Sequence, residues 1–476
     1  MRSLIIKLSA ILISILIALL IGELIFRALL FSNFQLSKDI KDPSLFTELI
    51  EHQGETIFTD DYFKLRFLFD PNYSHQLNHS TLGWMGSFYG ASYRHFDEDE
   101  IKGRRPVLIY GDSFAHCIDS TTCFEEFLNQ DTSFNKNHYF LNYGVGGYGV
   151  DQISILLDST IDLYEKPFVV LSLLTYDLDR SMLKFRDAQK PYFELANNSL
   201  DLKAVPLYES NQKYVDENPP AITSYLWNRF KSSDFNFFEK NDLKYKAEEY
   251  VEHSKQLNTA IIDKMIASMK ERNIDFVFLI FHKTSSSLDN WRLSFLRQVL
   301  SEREIPYFVD RELYHEVKTA GFTEDSIFTI VNDGHPTTTA NSLVAQKIKD
   351  IILDKEKRER LTKNQLAWRD PAYVQLMVYE EAIVNDQDWF KTVAKQAVEK
   401  GIPIDSSVYL NARYMLESES KLTLKDIHFF KNQIKNSDSW LNQVEQKAIE
   451  KNISLDSMIQ LDAEYMYDRH LISFDY

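Results

Sequence analysis

Cysteine is nearly missing from this 476-residue chain. Cys117 and Cys123 are the whole supply, too few for a disulfide framework and in no spacing that holds zinc; whether they pair with each other stays open. Glycine (14) and proline (12) are scarce, which excludes a collagen-like chain. With 44% hydrophobic and 13% aromatic residues, most of the chain is expected to fold. Positive charge is in deficit. Lys and Arg total 53 against 70 Asp and Glu, a net charge of −17, which disfavours nucleic acid, anionic membrane surfaces and polyphosphates as general partners. At roughly 150 residues per domain, the length allows about three domains.

The first thirty residues carry what the composition hides. Leu8 to Gly22 holds no charge, and apolar residues continue to Phe31, interrupted by Glu23 and Arg27. The run approaches the roughly 20 residues that a bilayer span needs. Glu23 and Arg27, four apart on a helix, can neutralise each other near the interface. Arg2 and Lys7 precede the run, so the positive-inside rule leaves the amino terminus in the cytoplasm and the rest outside. A cleaved signal peptide competes with this reading. No small-x-small site follows promptly and no lipobox cysteine is present, so residues 1–31 are expected to form an uncleaved anchor, single-pass in the inner (cell) membrane, with the remainder extracytoplasmic or periplasmic.

Residues 32–104 read as an irregular lead-in, with an aromatic stretch from Gly83 to Phe96 to which no chemistry is assigned. From Arg105 strand and helix patterns alternate. Short apolar runs at Val107 to Tyr110, Tyr139 to Tyr143, Phe168 to Thr175, Phe276 to Phe281 and Tyr307 to Val309 are candidate strands, rich in Val, Ile and aromatics. Helix-length segments at Val150 to Tyr164, Asn258 to Arg272, Trp291 to Arg303 and Asn341 to Leu353 accompany them. Repeated β-α units predict an α/β domain over 105–355 with a five-stranded parallel sheet. Residues 181–250 read as an insertion with a hairpin turning at Asn197-Asn198.

Residues 370–476 contain an internal repeat at a 51-residue offset: Trp389 falls on Trp440, Ala397 on Ala448, Asp405-Ser406 on Asp456-Ser457, and Tyr414-Met415 on Tyr465-Met466. Helix-forming composition and apolar spacing predict a pair of helices per copy, with the repeated Trp, Ala and Tyr-Met as packing positions. The segment is similar to helical repeats at the end of many bacterial cell-envelope proteins, and its expected role is docking a protein partner.

Three segments carry chemistry. The first strand runs into Gly111-Asp112-Ser113, which places Ser113 at the carboxyl edge of a parallel sheet, where catalytic groups gather. After the second strand comes a glycine-rich turn, Asn142 to Gly149, whose backbone N–H groups suit an oxyanion; no Lys-Ser/Thr follows, which argues against a nucleotide loop. Before the last helix stands Asp333-Gly334-His335, a carboxylate and a base close enough to act as a pair. Taken singly, each is equally a turn. His116 and Cys117 lie near Ser113 but are read as structural.

Together these segments, in this order, resemble the SGNH (GDSL-type) hydrolase family over Pro106 to Leu353. The resemblance implies a flavodoxin-like core and no metal or organic cofactor. It also implies Ser113 as nucleophile and oxyanion donor, Gly147 as a further donor, His335 as general base and acid, and Asp333 as its orienter. One departure matters. Where the family's third block places an oxyanion Asn, this chain has Tyr176, followed by Asp177; the Tyr176 phenol or the Thr175 hydroxyl is the candidate replacement donor. The Asp-x-x-His spacing is also shortened to Asp333-x-His335, with Asn332 where the acid usually falls. His282, at the end of strand four, and Asp177 are the candidate substrate-side groups. The expected activity is that of a serine ester hydrolase or acyltransferase acting on an ester-bearing substrate such as an acylated envelope polysaccharide. A catalytically inactive envelope binding or scaffold protein is the alternative.

Overall fold

The computed structural model describes residues 2–32, 40–52, 55–70, 72, 74, 79–85, 101–196, 199–231, 240–282, 291–313, 327–330, 333–355, 357–358, 361, 370–402, 404–420, 422–451 and 453–472. Two compact units make up the chain, Met1–Asp275 with Glu324–Ser342, and Phe276–Thr323 with Leu343–Tyr476.

The first unit opens with helix α1 (Arg2–Leu30). Ile6–Leu30 is long and apolar enough to cross a membrane, a test that a signal sequence also passes. Its last turns do something further. Leu30 is fully buried in a cluster with Phe46, Leu65 and Tyr225, against which Phe26 packs. Glu23 accepts hydrogen bonds from Ser224 Oγ at 2.8 Å and from the Tyr225 and Leu226 N–H groups at 2.9 and 3.0 Å. It also pairs with Arg27 at 2.7 Å.

The lead-in is more regular than its sequence suggests. Strand β1 (Ile50–His52) pairs antiparallel with β2 (Glu55–Ile57), and helix α2 (Asp60–Phe69) follows. Asp60 and Asp61 occupy the first turn of α2, where carboxylates suit the helix dipole, and Phe63 and Phe67 pack against Leu183, Phe185 and Tyr214 of the insertion. These partners lie more than a hundred residues away, so local periodicity does not announce the helix.

The α/β layer then builds up in chain order. Strand β3 (Arg105–Gly111) leads to the single-turn helix α3 (Ser113–His116), helix α4 (Phe124–Gln130), strand β4 (His138–Gly144), helix α5 (Val150–Thr160) and strand β5 (Phe168–Leu174). Then come the short helix α6 (Asp177–Arg180), the antiparallel hairpin of β6 (Tyr192–Ala196) and β7 (Ser199–Lys203), helix α7 (Tyr225–Lys231) and the long helix α8 (Lys240–Glu271). Asn197-Asn198 lies outside the described residues, but Ala196 pairs with Ser199 across it. Strand β8 (Asp275–Phe281), helix α9 (Trp291–Glu302), strand β9 (Tyr307–Val309) and helix α10 (Thr338–Leu353) complete the series.

The strands form one sheet in the order β9-β8-β5-β3-β4, the 2-1-3-4-5 order of flavodoxin-like folds when counted along the chain. The β3–β4, β3–β5 and β8–β9 pairs are parallel, with Gly111 opposite Gly144 and Val107 opposite Phe168. All seven residues of β5 are buried. A parallel strand covered on both faces needs a continuous apolar run rather than an alternating one, and burying each such Val, Leu or Phe is worth about 1.5–3 kcal/mol.

In the second unit the carboxyl-terminal region consists of α11 (Pro371–Asn385), α12 (Gln387–Lys400), α13 (Ile404–Met415), α14 (Ile427–Lys435), α15 (Asp438–Lys451) and α16 (Leu455–Ile472). Each copy is a group of three helices rather than two, since α11 and α14 close the two cores. Repeat-related residues fill equivalent places. Ile383 and Ile434, Val393 and Val444, Ala397 and Ala448, and Ala412 and Ala463 are all buried, with Trp389 and Trp440 packed against them. Tyr414 and Tyr465 differ from the expected packing role: they are 70% and 58% exposed.

Candidate active site

Strand β3 delivers Gly111-Asp112-Ser113 to the carboxyl edge of the sheet, and Asp112 caps the helix that follows. Its backbone is extended and its carboxylate accepts the Phe114 N–H at 2.9 Å. Ser113 therefore opens α3, where the first N–H groups have no partner within the helix. The other end of α3 is braced by a disulfide between Cys117 and Cys123, whose Cα atoms are 5.7 Å apart.

His335 arrives from the loop before α10. The Asp333 and Gly334 N–H groups both donate to the Ile330 carbonyl, at 3.2 and 2.8 Å, and Gly334 takes a left-handed φ of +83°. The Ile330 N–H donates to the His335 carbonyl at 2.9 Å, closing a tight turn that presents the imidazole. Phe114 packs on that ring with centroids 4.7 Å apart. His335 Nε2 lies 2.9 Å from Ser113 Oγ, and Nδ1 contacts the Asp333 carboxylate. Ser113 and His335 are buried, while the Asp333 side chain is 34% exposed. Three groups drawn from two distant segments thus stand in the nucleophile–base–carboxylate relationship that activates a hydroxyl. Asn332 lies outside the described residues.

The glycine-rich turn sits beside them on backbone geometry that few residues tolerate. Gly147 has φ +84°, and a Cβ there would meet Arg186 Nη1 at 2.5 Å; at Gly144 it would meet the His116 backbone nitrogen at 2.4 Å. The carbonyls of this turn are claimed from outside. Trp84 Nε1 donates to Gly146 O at 2.9 Å, Arg186 Nη1 to Gly147 O at 3.0 Å, and Arg180 Nη1 to Tyr148 O at 3.2 Å. In a planar trans peptide the carbonyl and the next N–H point oppositely, so holding Gly146 O against Trp84 fixes the Gly147 N–H on the other side. Trp84, which in turn accepts at its carbonyl from the Tyr148 hydroxyl at 2.6 Å, belongs to the aromatic stretch to which the sequence assigned no chemistry.

Asp177 requires a correction. Expected on the substrate side, it is fully buried, and its carboxylate accepts the Leu174 N–H at 2.9 Å and Arg180 Nη1 at 2.6 Å. It serves the loop instead. Burial, together with the neighbouring Asp112 charge, pushes the Asp177 carboxyl well above the usual carboxylate range. The two acids hold the Arg180 guanidinium above its ordinary value against the effect of burial, whereas burial and the nearby Arg180 charge bring Arg186 down to about 10. Tyr176 immediately precedes α6, in helical conformation and partly exposed, and Thr175 is buried.

His282 belongs to the second unit and is buried at the end of β8. Its N–H donates to Asp310 Oδ1 at 3.1 Å and its carbonyl accepts from Arg311 Nε at 3.0 Å. His116 turns to its own chain, with Nδ1 2.5 Å from the Cys117 carbonyl. It lines a cleft of about 250 Å³ together with the disulfide, Asn142, Gly144, Glu125 and Glu126. Among the described residues, no group of three or more His, Cys, Asp or Glu side chains is placed to hold a metal ion.

No family model matches the chain and no curated protein does. Among solved structures, the chain is similar to a catalytic mutant of an acetylxylan esterase from Geobacillus stearothermophilus, with 12% identity over 51% of this chain and 92% of that one and a TM-score of 0.29. It is also similar to an acetyl xylan esterase named AlAXEase, with 13% identity, 52% and 99% coverage and a TM-score of 0.28. At such scores these likenesses carry no weight beyond their mention, and the chemistry rests on the side chains themselves.

Proposed function

We propose that the chain is a membrane-anchored serine ester hydrolase or acyltransferase of the SGNH type, acting outside the cytoplasm on acyl or acetyl esters of an envelope glycan. The observation that carries the reading is the 2.9 Å contact between Ser113 Oγ and His335 Nε2, with Asp333 on the opposite ring nitrogen. In this mechanism His335 takes the hydroxyl proton as Ser113 Oγ bonds to the ester carbon. The oxyanion forms against the Ser113 and Gly147 N–H groups and the Tyr176 phenol. Collapse breaks the carbon–oxygen bond of the leaving alcohol, to which His335 returns the proton. Water or an acceptor hydroxyl then repeats the sequence on the acyl-Ser113 ester.

The anchored reading is supported by α1 itself. A cleaved signal would take away Leu30, which is fully buried in the cluster with Phe46, Leu65 and Tyr225, and the Glu23 carboxylate that caps Ser224 to Leu226. The disulfide suits an oxidising compartment. A protein-docking role for the tail is supported by apolar residues that stay exposed at matching positions in both copies, Val398 with Ile449 and Leu410 with Leu461.

Labelling the full-length protein with a serine-reactive fluorophosphonate, followed by aryl-acetate turnover, tests the assignment. Wild type should label and turn over, and Ser113→Ala should do neither. A folded wild type that takes no label leaves a binding protein instead, and label that survives Ser113→Ala means another nucleophile.

A further inference from the structure

Helix α7 (Tyr225–Lys231) lies within the insertion, yet its first turn is bolted to the end of α1. Glu23 accepts from Ser224, Tyr225 and Leu226, Arg27 Nη2 donates to the Thr223 carbonyl at 2.9 Å, and the Arg27 guanidinium sits 4.9 Å from the centroid of the Tyr225 ring. A Cβ on Gly22 would stand 3.5 Å from Leu226 Cδ2. These contacts fix the height of α7 along α1. From Ile6 to Ile25 the helix rises about 29 Å at 1.5 Å per residue, close to the roughly 30 Å of a hydrocarbon core. Leu226, packed at Gly22, is therefore within about one helical turn of the outer boundary of the apolar layer.

At that height α7 turns apolar surface outward. Trp227 and Phe230 are 56% and 61% exposed and stack on each other, with centroids 5.8 Å apart and an interplanar angle of 22°. Neighbouring Leu20, Ile21, Leu24 and Ile25 of α1 are exposed as well, so the aromatic pair extends a surface that only lipid covers in the anchored reading. Trp is the residue that favours the headgroup level, where its ring is sheltered and its N–H stays wet. Arg229, exposed on the same helix, supplies a cation where lipid phosphates lie.

We propose that α7 rests in the outer headgroup layer of the bilayer that α1 crosses, with Trp227 and Phe230 inserted among the lipids. This rests on the anchored reading above. Its consequence is that the insertion, and with it the Arg186 that holds Gly147, is tethered to the membrane at a second point, which sets how the site faces the envelope.

The test uses the full-length chain in phosphatidylcholine nanodiscs, with or without lipids brominated at shallow acyl positions, and reads tryptophan emission in wild type and Trp227→Phe. Bromine should quench wild type clearly more than Trp227→Phe, and both should keep the fluorophosphonate label. Equal quenching in protein that has entered the discs overturns the lipid contact and leaves the anchor standing. Equal quenching with a fall in oligomer mass for Trp227→Ser/Phe230→Ser gives the face to a second copy, also overturning it. Protein that fails to enter discs overturns both the anchor and the contact.

Discussion

Arg180 Nη1 lies 2.7 Å from Asp112 Oδ2, joining the third loop of the sheet edge to the residue that caps the helix opened by Ser113. The same nitrogen reaches Asp177 and the Tyr148 carbonyl, so one guanidinium binds the loops that follow β3, β4 and β5. In the proposed mechanism Arg180 is thus a positioning residue. Arg180→Lys keeps the charge but cannot span three acceptors, and should lower kcat by about 10–100-fold with KM little changed, the worth of one or two charge-assisted hydrogen bonds. Arg180→Met should lose more. Steady-state kinetics on folded protein check this: lowered melting temperatures with unchanged kcat would reduce Arg180 to a purely structural role.

Asp333 gives a separate handle on the proposed base, His335. Asp333→Asn leaves the contact between Ser113 and His335 but removes the carboxylate that selects the imidazole tautomer, so turnover should fall by roughly 10²–10⁴-fold. The lower end is expected because a third of the Asp333 side chain is exposed. An unchanged rate would remove Asp333 from the site.

What local sequence carries and what it does not divides along the range of the contacts. The five strands are legible because each is a short apolar run buried on both faces, and Ser113, Gly147 and His335 each sit where a strand end or helix start already marks a turn. The roles of Trp84, Arg180 and Arg186 depend on bonds to Gly146, Asp112 and Gly147 across 62, 68 and 39 residues, and no periodicity encodes such distances. Asp177 follows the same rule. Its place after the third strand points to a substrate contact, while its buried partner, Arg180, reads locally as an ordinary surface residue. In the repeats, the matching Ile383 and Ile434 lie at the edge of the self-similar segment, so its spacing predicts two helices per copy where three form.

Beneath the loops, Lys190 and Asp151 form an ion pair with both side chains fully buried, and Lys190 also donates to the Leu183 carbonyl at 3.1 Å. Removing one partner of such a pair leaves a buried charge without its counterion. Lys190→Met should cost about 3–5 kcal/mol of unfolding free energy, read from urea midpoints. Lys190→Met combined with Asp151→Leu should recover much of the loss. A single variant as stable as wild type would show that the pair is not closed in solution.

Asp177 makes stability depend on pH with a defined sign. Burial and the Asp112 charge raise its folded-state value, while in the unfolded chain its carboxyl titrates near 3.9. Below about pH 4 both states hold the proton and the group contributes no slope. As pH rises from there toward the folded value, the unfolded chain gives up its proton first, so it binds fewer protons than the native state and stability falls. Asp177→Asn carries no titrating group and abolishes this contribution while keeping an acceptor for the Leu174 N–H. Urea midpoints of both proteins between pH 4 and 8 report Asp177 and its coupling to Asp112 in their difference, because more distant carboxylates cancel. Wild type should lose stability relative to Asp177→Asn as pH climbs. A difference that runs the other way would mean that Arg180 outweighs burial and that the carboxyl is held below its ordinary value.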